Sequence, residues 1–170
     1  MKMSFLAVLI FIFFIKFSVN GETKNVFSVT EIEMTEGIAQ VVLNDSIEIK
    51  SIELVITSTG TKLNLPMGVE IQDKYLEESL ISAIESGQPS VEKTKSVSYK
   101  VTELLRGGEI VIGKVVFNNS VFIECKILEA KKGPWVLWPK NFRIINNAFR
   151  KMVEKSLIAK YKEERNGKNE

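Results

Sequence analysis

Histidine is absent from this 170-residue chain, and cysteine occurs once, as Cys125. The first absence removes the commonest general base, the Ser-His and Cys-His nucleophile pairs and the commonest zinc ligand. The second excludes any disulfide within the chain, so the core must hold unaided even in an oxidising compartment. Cys125 lies in an apolar strand pattern and reads as a small buried hydrophobe. Phosphate-loop spacing is also missing: Arg106-Gly107-Gly108-Glu109 reads as a turn. Glu31, Glu33, Glu36, Glu48 and Glu53 alternate on strand patterns, and a hard cation could use such carboxylates. No compact Asp-x-Asp-x-Asp-Gly loop accompanies them, so they read as a solvated face. No catalytic constellation, metal site or cofactor is implied.

What is present begins with "MKMSFLAVLIFIFFIKFSVNG". A cationic start at Lys2, an apolar run from Phe5 to Ile15, and Val19 and Gly21 as small residues make a secretory signal pattern over residues 1–21. The run is short for a membrane span, although an uncleaved N-terminal anchor is the alternative. Either way the chain is expected to be exported (periplasmic, secreted or anchored). Charge beyond the leader is split. Residues 22–95 hold 13 acids and 6 bases, whereas residues 96–170 hold 8 acids and 15 bases. An anionic partner for the second part, or mutual attraction between the parts, would each explain the asymmetry.

The chain says the same thing twice. "VTEIEMTEGIAQVVLNDSIEIKSIELVITSTGTKLNLP" runs from Val29 to Pro66, and "VTELLRGGEIVIGKVVFNNSVFIECKILEAKKGPWVLWP" from Val101 to Pro139. Both open Val-Thr-Glu, both carry Asn-x-Ser at mid-length, both end on Pro, and a helical pattern follows each. Strands are expected near Phe27–Met34, Ile38–Leu43, Ile47–Thr57 and Lys62–Leu65. In the second half they fall near Val97–Leu105, Glu109–Phe117, Val121–Leu128 and Trp135–Trp138. Tight turns between short strands require antiparallel hairpins.

Helices are expected over Gln72–Ser86, with Leu76, Leu80, Ile81 and Ile84 on one stripe, and over Asn141–Glu164. In the second, Ile145, Phe149, Met152, Val153 and Leu157 form the apolar side. The resulting division is a first repeat over 22–87, a linker over 88–96, a second repeat over 97–164 and a polar tail over 165–170. A half of about 65 residues is near the lower limit for an independent core. The fold class is therefore α+β: two repeats, each a small antiparallel sheet followed by a helix, packed as an intrachain pseudo-dimer.

The order of features in each half resembles the SpoVG (stage V sporulation protein G) family. The resemblance rests on "FSVTEIEM … AQVVLNDSIEIKSIELVITSTGTKLNLPM" in the first copy. In the second it rests on "YKVTELLRGGEIVIGKVVFNNSVFIECKILEAKKGPWVLWPKN … INNAFRKMVEKSLIAKY". It implies a small dimeric α+β fold that binds DNA or RNA as a non-enzymatic regulator. The family's Pro is usually followed by a short basic stretch. Here Pro139 is followed by Lys140-Asn141-Phe142-Arg143, whereas Pro66 is followed by Met67-Gly68-Val69-Glu70, so the second copy is where such binding is expected. Family members are cytoplasmic and this chain carries a leader. An exported protein-interaction module on the same duplicated scaffold, serving an envelope partner, is the alternative, and a hydrolase using carboxylates alone is a third.

The expected nucleic-acid-binding set is Lys131, Lys132, Trp135, Lys140, Arg143, Arg150, Lys151 and Lys155. Lysines and arginines would neutralise phosphates and a tryptophan would stack a base. Trp135 and Trp138 stand three apart on a strand and must point to opposite faces, so one is core and at most one is available to stack. A charge run on a helix is also what a solvated face looks like. Asn44-Asp45-Ser46 and Asn118-Asn119-Ser120 match the glycosylation sequon, but Asn and Asp suit a hairpin turn on their own account.

Overall fold

A computed structural model describes residues 27–90, 96–107 and 110–166. The expected leader and the five residues after it, the centre of the expected linker, Gly108 and Glu109 of the expected turn, and the last four residues lie outside the described residues. The first half contributes β1 (Val29–Thr35), β2 (Ile38–Leu43), β3 (Ile47–Thr57), β4 (Gly60–Asn64), β5 (Val69–Ile71) and α1 (Lys74–Ser86). The second contributes β6 (Tyr99–Gly107), β7 (Ile110–Phe117), β8 (Val121–Leu128), β9 (Trp135–Leu137), β10 (Phe142–Ile144) and α2 (Asn147–Asn166). The class is α+β, with two antiparallel five-stranded sheets and two helices.

Two short strands change the expected picture. Each sheet has five strands rather than three or four, because each half lends one to the other. The first sheet runs β1-β2-β3-β10, with β4 also on β3; the second runs β6-β7-β8-β5, with β9 also on β8. Phe142 and Ile144 stand opposite Ile49 and Ile47, and Val69 and Ile71 opposite Ile123 and Val121. The expected second helix therefore starts too early at Asn141. Residues 142–144 are a strand, and Ile145 and Met152, expected on the apolar side, are exposed. The helix begins only after Asn146, whose Oδ1 accepts hydrogen bonds from the Ala148 and Phe149 amides.

Local bonding follows one scheme in both halves. Asn44 Oδ1 accepts the Ser28 amide and Asn118 Oδ1 the Ser98 amide, each at 2.8 Å. Both turns use two consecutive left-handed residues, Asn44-Asp45 and Asn118-Asn119, which Asn and Asp tolerate best. The Lys50 amide donates to Asn141 O, and the Glu124 amide to Gly68 O, at 2.8 Å each. Asp73 caps α1 as Asn146 caps α2, accepting the Tyr75 and Leu76 amides. The two chain segments that cross between sheets touch each other. Gly68 has φ +83, and a methyl group built on it would lie 3.0 Å from Pro139 Cγ, so only glycine fits this crossing.

The helices lie on the inner faces. Leu76, Leu80, Ala83 and Ile84 of α1, and Val153, Leu157 and Tyr161 of α2, join one buried cluster with Val41, Ile49, Val115, Phe117, Ile123 and Cys125. Gly113 makes room for α2: a methyl group there would lie 2.8 Å from Leu157 Cδ2. Full burial of each large aliphatic or phenyl side chain stabilises the fold by about 1.5–3 kcal/mol. One cluster spanning both halves thus ties them together. The linker's first residues belong to the fold as well, since the Ser90 amide donates to Val29 O and Ser90 Oγ accepts the Val29 amide.

Among the described residues, no helix is long and apolar enough to cross a membrane.

Candidate nucleic-acid interface

With α2 on the inner face of the second sheet, its outer face is left open to solvent. Register decides what appears there. Lys126 stands opposite Leu137 and Leu128 opposite Trp135 on this face, while the intervening pair, Ile127 and Val136, is buried. Trp135 is 44% exposed. Trp138 turns inward, as the three-residue spacing requires: its ring centroid lies 5.4 Å from that of Phe142, and its Nε1 donates to Glu154 Oε1 at 2.9 Å. Lys131 and Lys132 sit exposed in the turn between β8 and β9, which the Gly133 amide closes onto Ala130 O. Lys140 is exposed just after β9 and lines the same trough as Lys126 and Leu137.

The other expected cations are placed differently. Arg143 is on β10, in the first sheet, where its Nη2 donates to Glu48 Oε1 at 3.1 Å and its Nε lies 2.9 Å from Glu48 Oε2. Glu48 is only 3% exposed and also receives Gln40 Nε2 at 3.0 Å. This corrects its reading as a solvated carboxylate: it is outward-pointing but covered by the strand the second half lends. Arg150 Nε lies 2.8 Å from Glu154 Oε1, the acceptor of the Trp138 indole. Lys151 and Lys155 are exposed on α2, and because α2 covers the inner face they lie across the sheet from Trp135. The structure therefore leaves Lys131, Lys132, Trp135 and Lys140 exposed on and beside β9, commits Arg143 and Arg150 to carboxylates, and sets Lys151 and Lys155 apart.

Lys126 was missed by sequence reasoning, although "IECKIL" alternates and marks it as outward. Its relevance depends on the β8–β9 register, which neither strand shows alone. Further along the same face the charges are balanced. Lys114 Nζ lies 3.4 Å from Glu124 Oε1 and 3.6 Å from Glu103 Oε2. The Glu124 hydrogen bond, then the two carboxylate charges, hold its pKa above the ordinary lysine value, against the opposing effect of desolvation. Lys126, Lys131, Lys132 and Lys140 have no carboxylate within ion-pair distance among the described residues.

Three weaker signals resolve into architecture. Asn44 and Asn118 are buried in the two turns, and the Oδ1 of each accepts a backbone amide. Glu31, Glu33, Glu36 and Glu53 are exposed, and among the described residues no group of three metal-ligating side chains converges. Cys125 is buried, and its thiol donates to Gly113 O at 3.3 Å. Burial pushes its pKa from the ordinary 9.0 up to about 12. A raised pKa favours the neutral thiol in the folded state, so its contribution is complete below about pH 9 and is lost as pH climbs towards 12. Native protein at pH 8 is expected to leave Cys125 unlabelled by iodoacetamide, with full labelling in urea. Between pH 9 and 11 the wild type should lose more stability than Cys125→Ala; equal alkaline losses would refute this burial effect.

Comparison with protein-family models, with curated proteins and with solved structures finds no match for this chain.

Proposed function

We propose that this chain is a non-enzymatic, SpoVG-like nucleic-acid-binding regulator, built as a duplicated unit folded into an intrachain pseudo-dimer. Support for the duplication comes from the paired geometry: matching Asn turns, matching helix caps and reciprocal loan of a strand at offsets of 70 to 74 residues. The observation that carries the binding role is an exposed Trp135 on an uncovered sheet face among four lysines with no carboxylate partner. Such a surface suits a single strand of DNA or RNA: the indole stacks one base and the ammonium groups follow the phosphates. The first half has "GTKLNLPMG" at the corresponding place, with no tryptophan and one lysine, so the second half alone carries the surface.

Titration with a single-stranded oligonucleotide tests this reading. Four lysine contacts should give an affinity that falls with salt at a log–log slope of about −3, near −0.7 for each neutralised phosphate. Trp135→Ala should weaken binding about tenfold or more, the worth of one stacked base. Absence of binding at low salt refutes the reading.

A second reading, an exported interaction module serving an envelope protein, draws on Leu105 and Ile110, which are exposed near the β6–β7 turn of the same sheet. The leader-like N-terminus favours it, and fractionating cells for processed and unprocessed chain separates the two settings.

A further inference from the structure

Beside the Trp135 surface lies a depression of about 700 Å³ that nucleic-acid binding does not use in full. Its lining includes Met67, Ile112, Leu137 and Pro139, with Lys126 standing between Ile112 and Leu137 in the register and Lys140 following Pro139. Met67 is 95% exposed and Leu137 43% exposed, so a large apolar surface faces solvent. A volume of this size falls within the range of about 300–1,000 Å³ typical of small-molecule sites, which are mainly apolar with a few placed polar groups. Its origin is the strand loan: the two crossing segments, touching at Gly68 and Pro139, run beside β8 and bound the depression.

The backbone beneath it restricts the occupant. β8 is hydrogen-bonded to β7 along one side, and to β5 and β9 along the other. Between those two short partners, the Glu124 amide donates to Gly68 O. An extended peptide laid over β8 would find no main-chain partner there, which is what gives strand-adding ligands their affinity, and only the outer edge of the three-residue β9 could pair with one. A hydrocarbon needs none. Charge then selects the other end of the ligand. The one carboxylate in the lining, Glu124, is engaged by Lys114 at 3.4 Å, whereas Lys126 and Lys140 have no ion-pair partner among the described residues.

The geometry points to a binding site for a monomeric amphiphile, a hydrocarbon body carrying one anionic head group, of which a medium-chain carboxylate is the simplest case. The body covers Met67, Ile112 and Leu137, and the head group sits between the Lys126 and Lys140 ammonium groups. This site does not rest on the nucleic-acid reading, although Lys126 and Lys140 belong to both surfaces and make the two ligands compete.

The chain's two tryptophans report on this site directly, since Trp138 lines it and Trp135 neighbours Leu137 on the same face. The full chain, after any leader cleavage, is titrated with dodecanoate brominated at its chain end, and quenching of tryptophan fluorescence is followed. Saturable quenching is expected below the concentration at which the acid self-associates. Changing Lys126→Gln together with Lys140→Gln should weaken the acid about tenfold and leave the brominated methyl ester within twofold, because only the head-group contact is removed. Leu137→Gln should weaken acid and ester alike, about tenfold. Equal affinity for dodecylammonium and dodecanoate overturns the inference, as does quenching that begins only with self-association. Attachment to phosphatidylglycerol vesicles without quenching by the monomeric acid also overturns it, in favour of a membrane surface. Lys131→Ala with Lys132→Ala should reduce oligonucleotide binding and spare the quenching, so failure of either reading is visible separately.

Discussion

Residues 22–90 and 96–170, prepared as separate chains, are expected to be unfolded or aggregated alone and to form a 1:1 folded complex when mixed. Alone, the first half has no β10 to cover β3, and its β5 has no β8 to lie on; the second half has the converse deficit. Each isolated sheet would also lose the partner half of the single buried cluster, at a size where stability is already marginal. Self-pairing of either half is opposed by charge. Residues 22–95 carry 13 acids against 6 bases, and residues 96–170 carry 15 bases against 8 acids, so like halves repel and unlike halves attract. Size-exclusion chromatography and circular dichroism of each chain and of the mixture make the test. A half that is monomeric and folded by itself contradicts the strand loan.

Arg143→Ala is expected to lower unfolding free energy by about 1–2 kcal/mol, between the cost for a buried ion pair and that for a surface one, because Glu48 is buried while the Arg143 side chain is 59% exposed. Glu48 is 3% exposed, and loss of the guanidinium leaves its carboxylate with Gln40 Nε2 at 3.0 Å and a Lys50 ammonium at 3.6 Å. Neither replaces a cation held 2.9 Å away on the neighbouring strand. Removing the charge as well, by Glu48→Leu with Arg143→Ala, should recover most of the loss, because the penalty arises from the stranded carboxylate. Urea unfolding of the two single variants and the double variant closes the cycle. A cost under about 0.5 kcal/mol for Arg143→Ala would mean the pair behaves as an ordinary exposed one. Of the described ion pairs, only Glu48–Arg143 joins the two halves.

Much of the scaffold was readable as pattern. Strands β2, β3 and β8 run between the residues expected, because their alternation is long and Asn or Gly turns bound it. β5 and β10 were not readable. Each has three residues, follows a proline, and exists only because a strand from the other half lies beside it. Missing them displaced the start of α2 and hid the burial of Glu48, whose alternation marks it as outward and whose cover lies 95 residues away. The site was half legible for the same reason. Tryptophan spacing showed that one indole would be packed and at most one free, and the register agrees. A list of basic residues could not show that Glu48 and Glu154 take Arg143 and Arg150, or that α2 carries Lys151 and Lys155 to the opposite side.

That division of the basic residues into two faces is what the functional account depends on. The most direct measurement compares oligonucleotide affinity at low salt for two variants of the full chain. One carries Lys131→Ala, Lys132→Ala and Trp135→Ala; the other carries Lys151→Ala and Lys155→Ala. Three contacts removed from the open sheet face should weaken binding at least a hundredfold, while the helix variant stays within threefold of wild type. The reverse order, or equal losses in both, would place the interface on α2 and contradict the account.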